Sequence, residues 1–284
     1  MPRFLTARAD FLRVKSGENI MSQIDHTFAV CAYKETPYLE EAVRSALNQT
    51  VKGRVLISTS TPNSSISAVA DRYNIPVFVN NCETAGTISG DWNFALSCAK
   101  TQYVTIAHQD DLYEPDYVET VLNKARKRKA VILFSDYYEI RKNERVYKNR
   151  LLKVKRLMNL GFALFPRSRF VKRRVLSMGC SICCPAVTFN RAMCGDFKFD
   201  GGYKNNLDWD AWIRLADIKG AFVYIRKPLM GHRIHEDSST SEYIASGIRH
   251  DETVKIFRRF WPEWFVKRLI KAYENGDKSN RLSS

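Results

Sequence analysis

From His26 onward, short apolar runs alternate with segments whose apolar residues recur every three or four positions. Residues 27–32, 53–58, 76–79 and 102–107 are near-continuous runs containing Val, Ile, Phe and Thr, as expected of strands buried on both faces. Residues 38–48, 66–73, 91–100 and 117–128 carry the helical period, with Pro37 just ahead of the first. A further strand is predicted at 130–134. Strands alternating with helices at this spacing predict an α/β fold on a parallel, doubly wound sheet. The alternation lapses after Phe134 and resumes with a strand at 185–190, a helix over 208–216 and a strand at 222–225. A single helical pattern then covers 248–273, while residues 1–24 show no period and are expected to be a mobile lead.

The overall composition, 45% hydrophobic and 26% charged over 284 residues, is that of a globular chain with room for one large core. The net charge of +15 changes the picture, because such an excess attracts anions: nucleic acid, anionic lipid or phosphorylated small molecules. No stretch reaches the roughly 18 uncharged apolar residues of a spanning helix. Arg8, Asp10 and Arg13 interrupt anything resembling a secretory signal, so a cytoplasmic location is expected. Seven cysteines without framework spacing fit that compartment. Cys180, Cys183, Cys184 and Cys194 could imitate a zinc site, but residues 183–190 read better as the start of a buried strand.

Candidate chemistry begins where the strand over 103–107 stops at two adjacent carboxylates, Asp110 and Asp111. They would emerge at the carboxyl edge of the sheet, where open α/β folds bind ligands. Two neighbouring acids repel, and a hard divalent cation such as Mg²⁺ or Mn²⁺ between them and a phosphate relieves this. The alternative is a turn leading into a helix at Pro115. These residues alone leave both readings open.

Several segments together resemble one family. Residues 28–35 with 38–50 resemble the amino-terminal signature of family 2 glycosyltransferases of the bacterial polysaccharide type. Trp92-Asn-Phe-Ala-Leu with 103–117 resembles the donor-phosphate and DXD region, and 208–216 the catalytic-base helix, all in the family's order. The resemblance implies a GT-A fold, a nucleoside-diphosphate sugar donor, a divalent metal and transfer with inversion to a hydroxyl of a glycan or lipid-linked glycan. It implies a nucleotide-sugar-binding half over 25–136, an acceptor-binding half with a basic insert over 137–240, and an amphipathic helical region over 241–284. Ala32, Tyr33, Lys34 and Glu35 match the loop lining the nucleoside pocket, and Trp92, Asn93, Gln109 and Asp110 match donor-phosphate positions. Asp110 and Asp111 match the metal-binding acids, and Asp208 matches the general base. Residues 231–240 resemble a late loop that closes over the pyrophosphate, implying that Arg233 meets phosphate and that His235 completes the metal shell.

The chain departs from the family pattern at three places. His108 replaces the first aspartate of the DXD, and Trp92 stands where an arginine is usual. The loop after the second strand, Ser58-Thr-Ser-Thr-Pro-Asn63, lacks the acid that reads uracil and offers hydroxyls such as that of Thr59. UDP-, dTDP- and GDP-linked donors therefore all stay open. Between Arg141 and Arg174 thirteen cations face only Glu144, and the tail mixes aromatics with Lys and Arg. This predicts a peripheral protein on an anionic membrane surface, tail aromatics at headgroup level. The charge would also permit a nucleic-acid-binding protein, although no zinc-finger or RNP-like pattern accompanies it and no nucleic acid is expected. A catalytically inactive nucleotide-sugar-binding homologue is the other alternative, given His108 and Thr59.

Overall fold

Four parallel strands carry the first half of the fold: β1 (His26–Ala32), β2 (Arg54–Thr59), β3 (Val77–Val79) and β4 (Tyr103–His108), in the order β3-β2-β1-β4. Helices α1 (Leu39–Leu47), α2 (Ser64–Tyr73) and α3 (Ile88–Cys98) connect them, each turning an apolar face to the sheet. The register aligns Ala32 with Thr59 and Cys31 with His108, so the loops after β1, β2 and β4 leave the sheet side by side. The computed structural model describes residues 25–235 and 247–277; the expected lead over 1–24 lies outside the described residues.

The sheet then changes character. Beyond β4, the short β8 (Val187–Asn190) runs antiparallel to both β4 and β6 (Ala130–Arg141), and β6 runs parallel to β9 (Ala221–Arg233). The sheet is thus mostly parallel as expected, and the parallel pattern is broken only at β8 and at two short strands, because apolar runs do not encode strand direction. Strand β6 extends well past the expected 130–134 because β9 continues beside it through Ile140 opposite Arg233. Its acids are neutralised by ion pairing, Asp136 with Arg156 at 2.6 Å and Glu139 with Arg141 at 2.7 Å. At Gly231 a Cβ would come within 2.6 Å of the Tyr138 ring opposite, so any larger residue would need that buried ring to move. Two short strands complete the sheet: β5 (Leu112–Tyr113) pairs antiparallel with β9, and β7 (Glu144–Val146) closes a hairpin with β6. Helix α4 (Tyr117–Ala125) returns the chain from β5 to β6.

The basic stretch is not irregular. It forms α5 (Arg150–Leu164) and α6 (Arg169–Leu176), whose first turns are capped by Asn149 and Ser168 accepting from the Leu152 and Val171 N–H groups. After a single turn α7 (Arg191–Cys194), helix α8 (Leu207–Leu215) buries Trp209 and Trp212.

The tail is two helices rather than one, α9 (Ile248–Arg258) and α10 (Glu263–Asp277), because Pro262 has no N–H to continue the ladder. Most of its aromatics are not free to enter a membrane. Phe257 is fully buried, Trp261 donates to the Ser177 carbonyl at 2.7 Å, and Tyr273 stacks on Trp209 at 5.7 Å. Truncating a buried ring such as Phe257 to alanine costs about 3–5 kcal/mol, which makes these rings core. Among the described residues no helix is long and apolar enough to cross a membrane.

At the start of β1, His26 is fully buried and its Nε2 lies 2.9 Å from the Thr105 hydroxyl. Burial lowers its pKa from 6.5 to about 3, so the folded protein keeps it neutral while the unfolded chain protonates it. The unfolded state therefore gains protons first as acid is added, and stability is lost as pH falls from about 6.5 toward 3, by about 1.4 kcal/mol per unit at most from this group. The variant His26→Gln should show a shallower fall in melting temperature between about pH 6 and 4 than the parent. Equal slopes would assign the acid sensitivity to other groups.

Candidate active site

The loops after β1 and β4 are stitched together. Gln109 accepts from the Tyr33 N–H at 2.8 Å and donates back to the Tyr33 carbonyl at 3.0 Å. Lys34 adopts a left-handed conformation, φ 56°, and its N–H donates to Thr61 after β2. Ala32, Tyr33, Lys34 and Gln109 thus share one edge with the Thr59–Thr61 turn, and Glu35 is exposed beside them. Thr59 is buried and accepts from the Thr61 N–H, so its hydroxyl shapes that turn.

Next to this edge the end of β4 meets the end of β9. The antiparallel pairing of Leu112 with Gly231 sets Asp111 beside His232 and Arg233. Asp111 is completely buried, and its Oδ1 accepts from the Arg233 N–H at 2.9 Å and lies 3.0 Å from His232 Nδ1. Its Oδ2 and the Nε2 of His108 are buried without a hydrogen-bond partner. Unpartnered buried polar atoms are costly, and lone pairs of this kind are what a divalent cation satisfies. The ligand atoms of His108, Asp110 and Asp111 lie within 4.8 Å of one another, so these residues fit such an ion. Asp110 Oδ2 lies 2.8 Å from His235 Nε2; desolvation would raise this carboxyl, but that hydrogen bond and the surrounding histidines hold it below its ordinary value. Burial pulls His232 down, yet the charge and hydrogen bond of Asp111 leave it raised.

Arg233 is occupied internally. Its guanidinium donates to Glu41 at 2.6 Å, to Asn143 at 3.2 Å and to the Asp110 carbonyl at 3.0 Å, and lies over the Tyr38 ring. Residues 236–240 of the expected pyrophosphate loop fall outside the described residues. Trp92, at the missing arginine's position, stacks on His108 with ring centroids 5.2 Å apart. Asn93 exchanges hydrogen bonds with the Phe199 backbone, anchoring that loop to α3.

Asp208 occupies the first turn of α8, where the helix dipole favours an anion. It is half-buried, accepts from the Trp209 N–H at 2.7 Å and lies 3.7 Å from the Cys180 thiol. Desolvation raises its pKa against the opposing pull of that N–H, Arg249 and Lys155, which suits a proton acceptor. Asp210 is different: ion pairs to Arg214 at 2.7 Å and Arg259 at 2.6 Å engage both oxygens and tie α8 to the tail. The Cys183 thiol, pushed up by burial, is within electrostatic reach of both Asp111 and Asp208. The Cys180–Cys184 segment thus contacts Asp208 through the Cys180 thiol and feels the charge of both acids at Cys183.

Two residues there escaped the sequence reading. Lys155 of α5 donates to the Tyr137 hydroxyl at 3.0 Å, and its charge acts on Asp208, Cys183 and His232. It lies inside a basic run and carries no pattern that marks it. Asp91 accepts from Ser60 at 2.7 Å and Asn80 at 2.8 Å, so an acid from α3 reaches the acid-free loop after β2. Its position just before Trp92-Asn93 was a usable signal.

The profile of Glycosyl transferase family 2 matches residues 27–193. A glycosyltransferase of Rickettsia typhi is 24% identical over 252 residues, covering 84% of this chain and 70% of that protein. A Rickettsia bellii glycosyltransferase is 27% identical over 84% of this chain, which spans only 34% of that protein. Among solved structures, S. aureus TarS 1-349 in complex with UDP-GlcNAc superposes with a TM-score of 0.60 at 14% identity, covering 90% of this chain and 73% of that one. The mannosyltransferase PcManGT from Pyrobaculum calidifontis, in complex with GDP-Man and Mn²⁺, gives a TM-score of 0.60 at 14% identity over 89% of this chain and 70% of that one. Profile, relatives and GT-A architecture agree: the chain belongs to glycosyl transferase family 2 and is a glycosyltransferase.

Proposed function

We propose that the enzyme moves a sugar, with inversion, from a nucleoside-diphosphate donor to a hydroxyl of a glycan or lipid-linked glycan, with Asp208 as general base. The observation that carries this reading is the pairing of two chemistries around the Cys180–Cys184 segment. One is the cluster of His108, Asp110 and Asp111, in which His108 Nε2 and Asp111 Oδ2 have no hydrogen-bond partner; the other is a carboxylate of raised pKa beside the Cys180 thiol. A divalent cation, Mn²⁺ or Mg²⁺, held by Asp110 with His108 and Asp111, supplies Lewis-acid neutralisation of the donor diphosphate when bound. His235, 2.8 Å from Asp110, would be a further ligand to such an ion.

As the acceptor oxygen bonds to the anomeric carbon, Asp208 takes its proton, and the bond to the diphosphate oxygen breaks on the opposite face. Lys155 stays protonated: desolvation works against its charge, but the surrounding Tyr137, Cys183 and Cys180 raise its pKa. It adds a fixed positive charge beside Tyr137 and within reach of Asp208 and His232. The loop 32–35 with Gln109 cradles the nucleoside, Trp92 and Asn93 hold the phosphate side, and Thr59 shapes the base pocket. The bound UDP-GlcNAc and GDP-Man of the two structural neighbours support a nucleotide-sugar donor and leave UDP, dTDP and GDP open.

Asp208→Asn should retain nucleotide affinity by calorimetry and lose roughly 10²–10⁴-fold in turnover. Turnover close to the parent's would move the base elsewhere. Because the Asp208 carboxyl is raised above 3.8 and must be ionised to act, the parent's rate should fall as pH drops through a midpoint above the ordinary aspartate range. Asp110→Ala should abolish the Mn²⁺-dependent heat of UDP or GDP binding without lowering the melting temperature by more than a few degrees, roughly the scale of a 1 kcal/mol change. Undiminished metal-dependent binding would place the ion at other ligands. Lys155→Met should weaken nucleoside-diphosphate binding and Lys155→Arg restore part of it; identical affinities in all three proteins would remove Lys155 from the site.

A further inference from the structure

Seven of the nine large apolar side chains exposed among the described residues lie between Tyr147 and Met178. The same stretch contains ten Lys or Arg and no Asp or Glu. On α5, Leu152, Asn159 and Phe162 are buried against the protein. Arg150, Lys153, Val154, Leu157 and Leu164 form a stripe on the opposite side of the helix, with Leu157 at 69% and Leu164 at 71% exposure. Phe165 follows at the turn, and Phe170 on α6 is 75% exposed between Arg169 and Arg173. A helix face meant only for water does not carry such a row, and contiguous exposed apolar surface of this kind marks a contact.

Beside the turn lies a cavity of about 480 Å³ lined by Lys124, Lys127, Arg128, Pro166 and Arg167. Among the described residues no ion pair engages any of these four cations. The Phe222 N–H donates to the Pro166 carbonyl and the Ala221 N–H to the Lys129 carbonyl, so α4, the α5–α6 turn and β9 form one fixed wall. An apolar ridge next to an unpaired cationic hollow matches the two layers of an anionic bilayer surface, acyl chains and phosphate headgroups.

We infer that the α5–α6 hairpin is a membrane-docking surface, seating Leu157, Leu164, Phe165 and Phe170 among acyl chains while Lys124, Lys127, Arg128 and Arg167 hold anionic headgroup phosphates. A second copy of this chain would bring like charges face to face, and a nucleic acid would leave the leucines in water, so the bilayer is the occupant both features fit. The hairpin replaces the tail as the lipid-facing element, since Phe257 and Tyr273 pack on Trp209 of α8 and Phe260 and Trp261 lie under Arg173 and Arg174 of α6. The orientation suits an acceptor carried on lipid: α5 starts beside Glu139, to which Asn149 donates at 2.8 Å, and Lys155 on its inner face reaches Tyr137 at the active site. The docking itself does not depend on the proposed reaction, because it is read without turnover.

Flotation of the full chain with vesicles of phosphatidylcholine, alone or containing roughly 30% phosphatidylglycerol, tests it directly. The parent should bind the anionic vesicles at least about tenfold more tightly than the neutral ones. The triple variant Leu157→Ser, Leu164→Ser, Phe170→Ser should keep its melting temperature and lose most of that binding, and Lys127→Gln with Arg167→Gln should lose the preference for the anionic lipid. Binding indifferent to lipid charge, or a triple variant that floats as well as the parent, would overturn the assignment. So would loss of a dimer in the triple variant without loss of vesicle binding, which would give the face to a second copy.

Discussion

A single buried carboxylate joins the two halves of this sheet. Asp111 follows β4, the last strand of the parallel half, and accepts from the Arg233 N–H and a His232 nitrogen at the end of β9, in the mixed half. A carboxylate fully removed from water is tolerated only when its charge is answered on every side. Here the answer comes from a backbone N–H, two imidazoles and, on the oxygen left unpartnered, a cation-sized demand. Arg233 extends the brace outward to Glu41, Asn143 and Tyr38, so α1 and the β6–β7 hairpin are fixed against the same point. The mouth of the site is therefore preorganised by bonds within the protein, and its residues need little rearrangement to receive a charged ligand.

The division of labour between neighbouring acids follows from burial and partners. Asp111 is a buried structural anion that also faces the cluster, whereas Asp110 is partly exposed and free to exchange its histidine contact for a ligand. Asp208 and Asp210 show the same contrast on one helix. Asp210 is consumed by two arginines and holds the tail in place; Asp208 has one weak thiol contact on its outer oxygen and a raised pKa, the condition of a group kept available for a proton. His108 and Trp92, two of the three departures from the family pattern, are stacked on each other, one exchange of charge for packing beside Asp110 and Asp111. Lys155 supplies a positive charge from a different element, beside Tyr137.

Much of this was readable in the chain. The first four strands are nearly pure apolar runs because both faces of a parallel sheet are covered, and the acids that interrupt them stand out. Asp110 and Asp111 were visible for that reason, and Asp208 through the resemblance of residues 208–216 to the family's base helix. The remainder was hidden by local chemistry that mimics loops. Asp136 and Glu139 break the apolar pattern of β6 although arginines neutralise them in the fold, and the charge density of residues 141–174 conceals the caps and periods of α5 and α6. The internal bonding of Arg233 and the inward reach of Lys155 depend on strand pairing and helix placement that no spacing records. The division of the tail at Pro262 was written plainly, and the aromatic periodicity on either side obscured it.

The central claim is that His108, Asp110 and Asp111 form a divalent-cation site at the tip of β4 that faces a nucleoside diphosphate. Anomalous diffraction from crystals soaked with Mn²⁺ and UDP or GDP addresses it most directly. The account predicts one strong manganese peak in contact with Asp110 and adjacent to the diphosphate oxygens. A nucleotide bound with no peak there, or a peak at other ligands, would contradict it.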